Sequence, residues 1–161
     1  MSTKELGNLG ERIACEYLVR NGYKILGRNY SITSGKNKIF GEIDIIAKKK
    51  WELFAKNDRA IHFVEVKTII GNDNNFFPEE KVNYKKQRKL KQMSQIWLEK
   101  NRHSIFPPLV RKIIKSPYFP LLIGNKFPQN YPYQIDVIGI LVNPDTKKSK
   151  IHYFQNVVED D

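Results

Sequence analysis

Residues 60–67 read AIHFVEVK and residues 39–47 read IFGEIDIIA, two strand-like stretches that each carry acids among apolar residues. Runs of this length, rich in β-branched and aromatic side chains, are the usual signature of a strand. Alternation along 60–67 puts Ile61, Phe63, Glu65 and Lys67 on one face, with His62, Val64 and Val66 on the other. That first face begins apolar and turns ionic at its end. On 39–47 the same rule groups Glu42 with Asp44 and sends Ile43 and Ile45 the opposite way. Half-buried acids and a lysine are costly unless they are paired or hold a metal.

An isolated acid-x-Lys on a strand is usually an ion pair, here between Lys67 and Asp44 or Glu65. Two features favour chemistry instead: a second carboxylate lies on a second strand, and the chain is strongly basic. Twenty-eight Lys and Arg face 17 Asp and Glu, for a net charge of +11. Such an excess attracts polyanions, nucleic acid above all. Lys-rich usage is also a habit of whole proteomes, so the charge counts only beside the acids. Phosphodiester hydrolysis needs a delivered water and stabilisation of charge in the transition state. Asp44 and Glu65 supply hard oxygen ligands for Mg²⁺ (or Mn²⁺), with the backbone carbonyl of Val66 completing the shell. A metal so held activates water and polarises the phosphoryl oxygen, and Lys67 orients that water or neutralises developing charge.

The remaining pattern predicts a single α/β domain over 1–161. Residues 4–20 form an amphipathic helix, with Ser2 and Glu5 at capping-box spacing. A short strand follows over 23–30, and 31–38 make a polar loop. A second helix runs from Pro78 to about Lys100, with Val82, Leu90, Met93 and Trp97 on one face and Lys86 on the same stripe. Strands at 134–142 and 150–155 flank the turn Asn143-Pro144-Asp145. Between Lys81 and Arg102 stand eight basic residues and one acid. A solvated helix face is the usual reason for such a run. Here Tyr84, Lys85, Arg88, Lys89 and Lys91 are suited to follow a phosphate backbone, with salt-dependent binding. No base-reading motif is present, which favours recognition of DNA shape or of junctions.

Six of the eight prolines fall within 103–132, among Ile105, Phe106, Leu109 and other apolar residues. That composition reads as an ordered insertion that covers the core, or that meets a partner copy or a substrate. Cys15 is the sole cysteine, which excludes an internal disulfide and a cysteine zinc site. His62, His103 and His152 lack metal-ligand spacing, and Asp136 is expected to be structural. There is no secretory h-region and no apolar run of the ~20 residues a bilayer demands, so the expectation is a cytoplasmic protein with no membrane partner.

Several short motifs occur together in one order: Gly10-Glu11 with Ala14 and Tyr17-Leu18; Gly41-Glu42-Ile43-Asp44; Phe63-Val64-Glu65-Val66-Lys67; Val82, Lys86 and Leu90; and Ile135-Asp136-Val137-Ile138. On these the chain resembles the YraN family of nuclease-like proteins. That family is similar to the PD-(D/E)XK restriction-endonuclease-like superfamily, with archaeal Holliday junction resolvases among its relatives. The resemblance implies an αβββαβ core with a mixed central sheet flanked by helices. It places Asp44, Glu65 and Lys67 at the motif positions, adds Glu11 as a catalytic acid and further metal ligand, and gives Lys86 a phosphate contact. Thr68 departs from it, standing where relatives carry a basic residue, and so do a longer stretch between the first two motif strands and the 103–132 segment. The implied function is a metal-dependent endonuclease acting on branched or junction DNA, for which a homodimer would suit a symmetric substrate. The alternative is a non-catalytic nucleic-acid-binding module in DNA uptake, recombination or repair.

Overall fold

A capping box starts the first helix. Ser2 Oγ accepts from the Glu5 N–H at 3.3 Å, and Glu5 Oε2 accepts from the Ser2 N–H at 2.7 Å. The computed structural model describes residues 1–34, 38–50, 58–71, 83–101, 105, 131–146 and 148–158. In these, α1 (Thr3–Arg20) leads into β1 (Tyr23–Ser34), β2 (Lys38–Lys49) and β3 (Ile61–Ile70). They are followed by α2 (Tyr84–Asn101), β4 (Tyr133–Val142) and β5 (Ser149–Phe154). Asn21 and Gly22, the latter at φ 82°, turn the chain out of α1.

The five strands lie in sequence order in one sheet. Every neighbouring pair is antiparallel except β3 and β4, which run parallel. A parallel pair needs a crossover, and α2 lies within it. Each helix covers one face. Ala14 and Leu18 of α1 pack with Ile45, Ala47, Val64, Ile138 and Ile140. Leu90, Met93 and Trp97 of α2 pack with Ile43, Ile46, Ile61, Phe63 and Val137 on the other side. This is the expected mixed α/β sheet flanked by helices, in the order αβββαβ with β5 added at the edge. Neither described helix is long and apolar enough to cross a membrane.

Both helices approach the sheet closely at a glycine. A Cβ on Gly10 would stand 1.7 Å from Thr68 Oγ1, and one on Gly41 would stand 2.5 Å from Met93 Sδ. Thr68 therefore faces α1, on the side of the sheet opposite Lys67. A basic side chain at 68 would meet the helix and not a substrate held beside Lys67.

Several boundaries differ from expectation, most of all where β1 ends. Residues 31–34 and Lys38, read as loop, continue a hairpin in which Ser31 pairs with Glu42 and Ser34 with Lys38. An edge strand buries few of its side chains, so alternating polar residues such as Ser31 and Thr33 fit it well. The described part of the second helix begins at Tyr84, where Asn83 Oδ1 accepts from the Lys86 N–H at 3.0 Å and caps the first turn, and the expected start at Pro78 lies outside the described residues. Val82 and nearly all of 103–132 lie outside the described residues.

On the α1 side, Asp136 is the centre of a buried polar network. Its Oδ2 meets His62 Nδ1 at 2.7 Å and accepts the Tyr153 hydroxyl at 2.6 Å. Its Oδ1 accepts from Gln134 Nε2 at 3.0 Å and from the Asn156 N–H at 2.9 Å. The other His62 nitrogen, Nε2, lies 3.0 Å from Asp58 Oδ2. Burial and the Asp136 charge push the Tyr153 hydroxyl far above its ordinary range, so it stays a donor. The network joins β3, β4, β5 and the chain after β5, confirming the structural role expected of Asp136. Asp136→Ala should lower unfolding free energy by about 3 kcal/mol, since buried donors lose their acceptor together. Urea unfolding followed by circular dichroism measures it, with Asp136→Asn falling between the two.

Candidate active site

The ladder between β2 and β3 runs from Lys48–Ile61 to Ile45–Val64. From Glu65 onward β3 keeps its pairing with β4, so one edge of β3 opens next to Asp44. Asp44 fills the first position of this opening. Its Oδ2 accepts the Val66 N–H at 2.7 Å, ending the ladder with a side chain in place of a carbonyl. In an extended strand the N–H and C=O of one residue point to the same edge. The Val66 carbonyl thus faces the opening that its N–H faces.

Strict alternation fails at Asp44. Ile43 packs beneath α2 and Ile45 beneath α1, so the expectation that these two side chains share a face is corrected. On the partner strand Asn29, which lies opposite Asp44 between the Arg28–Ile45 and Tyr30–Ile43 pairs, adopts φ 49°, so both strands depart from regular geometry at this point. Asparagine is among the few residues that enter that region readily. Glu42, grouped with Asp44 by alternation, is exposed and stands apart from the site.

Glu65 follows its expected face, that of Ile61 and Phe63, and is 2% exposed. Lys67 Nζ donates to its Oε1 at 2.6 Å. Lys86 Nζ, from the first turn of α2, lies 3.0 Å from Oε2. The angle there is not that of a hydrogen bond, which leaves Oε2 buried without a hydrogen-bond partner. The ion pair that an acid-x-Lys allows is therefore present, and Asp44 is what exceeds it. Burial, then the neighbouring Glu65 charge, raises the Asp44 carboxyl to about 7, against the pull of the Val66 N–H and Lys86.

Glu11 lies on the α1 side of this group and adds a little to the same repulsion. Its own closest charge is Arg28, whose Nη2 stands 3.7 Å from Glu11 Oε2. Among the described residues no three His, Cys, Asp or Glu side chains converge at metal-ligand distance. The acids brought together are Asp44 and Glu65; Glu11 is held near them by an arginine.

Two carboxylates, one with a buried unsatisfied oxygen and one reluctant to ionise, fit a hard divalent cation. Such a cation binds through one or two carboxylates and keeps several waters. It would neutralise the repulsion that lifts Asp44.

The basic residues of α2 divide. Lys85 and Arg88 are exposed, Lys89 lies over the Phe40 ring at 5.6 Å, and Lys86 turns inward to Glu65. Tyr84 is 72% exposed beside them. Arg28 and the His62–Asp136 pair were not singled out as partners by sequence reasoning. For His62 a signal existed: two polar residues at inward positions of strands that otherwise bury Val64 and Ile138.

The family described as "Uncharacterised protein family UPF0102" matches residues 10–140. A UPF0102 protein of Dictyoglomus turgidum is 38% identical over 120 residues, 73% of this chain and 88% of its own. One of Desulforamulus reducens is 32% identical over 155 residues, 96% of each chain. Another, of Clostridium botulinum, is 28% identical over 156 residues, 97% of this chain and 95% of its own. The two longer matches take residues 103–132 within their span. No solved structure matches.

Proposed function

We propose that this chain, which belongs to the uncharacterised protein family UPF0102, is a divalent-metal-dependent endonuclease that cuts phosphodiester bonds in branched or junction DNA. The observation that carries the reading is the meeting of Asp44 and Glu65 at the open edge of β3, with Lys67 beside them. Asp44, Glu65 and the Val66 carbonyl would hold Mg²⁺ or Mn²⁺. When bound, the ion would supply Lewis-acid polarisation of the scissile phosphate and a more acidic water.

The chain's own groups do the rest. Lys67 fixes the Glu65 carboxylate through Oε1 and, with its side chain one-third exposed, keeps its ammonium at the same edge. That charge suits a non-bridging phosphate oxygen as negative charge grows there. Asp44 is held by the Val66 N–H, which sets the position of the carboxylate before any substrate arrives. Lys85 and Arg88 on the exposed face of α2 are placed to follow the adjoining backbone phosphates, and no acid stands in the first turn of that helix to oppose them. A symmetric junction would call for two copies.

Incubation with four-way junction, splayed, single-stranded and duplex DNA under Mg²⁺ or Mn²⁺ tests the proposal. Cleavage favouring the branched substrates is expected, with affinity falling steeply as salt rises. Tight binding without cleavage of any substrate under either ion would instead establish the accessory binding module.

A further inference from the structure

We propose that Lys86 is a displaceable counter-ion: its ammonium keeps the Glu65 oxygen that a divalent cation takes, and passes to a backbone phosphate when the cation binds. This rests on the reading of Asp44 and Glu65 as metal ligands.

The two lysines on Glu65 are not equivalent. Lys67 comes from the same strand and hydrogen-bonds Oε1 at 2.6 Å. Lys86 comes from another element, stands 3.0 Å from Oε2, and leaves that oxygen without a hydrogen bond. It is the looser partner, on the oxygen still able to bind something better. Both lysines are one-third exposed, but only Lys86 has neighbours, Lys85 and Arg88, that already face solvent on the same helix. A lysine has a flexible four-carbon stem, so its ammonium can move while α2 stays in place.

Charge balance points the same way. With Asp44 ionised, two carboxylates and two ammonium groups cancel in the observed arrangement. A divalent cation added to all four leaves an excess of two positive charges in a partly buried space, which is unfavourable. Outward movement of Lys86 removes one of them and delivers it to where a phosphate would lie. Metal and nucleic acid then assist one another, since whatever draws Lys86 from Oε2 frees a ligand for the ion, and the coupling is reciprocal. A lysine that served only as a fixed phosphate contact would not respond to the metal.

Amine acylation of the full chain with acetic anhydride, quantified residue by residue by mass spectrometry, reads the movement. Saturating Mg²⁺ or Mn²⁺ should raise the modification rate of Lys86 several-fold while exposed Lys100 stays constant. In calorimetric titrations with Mn²⁺ alone, Lys86→Met should bind about tenfold more tightly, as a competing cation is gone, whereas Lys86→Arg should stay near wild type. Melting curves of both variants verify that they fold. If Mn²⁺ binding is lost in Glu65→Gln but Lys86 labelling is unchanged or slowed by the ion, Lys86 is fixed and the inference fails alone. Absence of Mn²⁺ binding in the wild type and in Lys86→Met alike overturns the metal reading as well.

Discussion

Glu65→Gln is expected to slow DNA cleavage by on the order of 10³-fold, about 4 kcal/mol of transition-state stabilisation. Glutamine keeps the volume of the side chain within the α2 face of β3. It removes the charge that Lys67 and Lys86 both oppose, and with it a hard anionic ligand. The neutral amide leaves two ammonium groups facing the single Asp44 carboxylate, so the opening attracts a cation far less. Glu42→Gln supplies the control. Glu42 lies two residues from Asp44 on the same strand but is exposed, and its loss should leave cleavage at the wild-type rate. Gel assays on the best branched substrate measure both. Cleavage by Glu65→Gln at the wild-type rate would remove this site from consideration, whatever the substrate.

The contrast between Glu42 and Glu65 also shows how far local patterns reach. The face of Glu65 was legible because 61–67 is an unbroken strand, where a period of two holds. The capping box at Ser2 and Glu5 was legible for a similar reason, since every partner lies within three residues. Asp44 was legible as an acid beside Glu65 on a neighbouring strand, but not in its setting. Its break from alternation sits opposite the left-handed Asn29, on another strand. Alternation in 39–47 alone assumes a regular partner.

Lys86 illustrates the same limit on a helix. Its place on the apolar stripe with Leu90, Met93 and Trp97 said that it points inward, whereas the run of lysines around it suggested a solvated, phosphate-facing surface. Only the crossover, which lays α2 over β3, brings its ammonium to Glu65. The Asp136 network lay further still from view, because its members come from β3, β4, β5 and the segment after β5. Long-range hydrogen bonds between single polar residues carry no periodic signal.

The titration of Asp44 gives the second large effect, on stability, and it has a definite sign. An unfolded aspartate loses its proton near pH 4, whereas in the folded chain burial and Glu65 hold it until about 7. Between these values the folded state binds a proton that the unfolded state has released. This carboxyl therefore withdraws stability from the metal-free protein as pH rises from 4 to 7 and takes no more above 7, a cost of roughly 4 kcal/mol. A divalent cation bound as proposed would reverse it, because it would bind the ionised carboxylate and offset the repulsion from Glu65. Urea unfolding at pH 5 and pH 8, with and without Mn²⁺, should show strong stabilisation by the ion at pH 8 and little at pH 5, where protons hold Asp44. Asp44→Asn should remove both the pH slope and the response to the ion. Wild-type stability that follows the Asp44→Asn curve across this range would mean that the carboxyl is charged at pH 5 already, with no strain for a metal to relieve. Cleavage should climb through the same window, since the form of Asp44 that resists burial is the form that binds the ion.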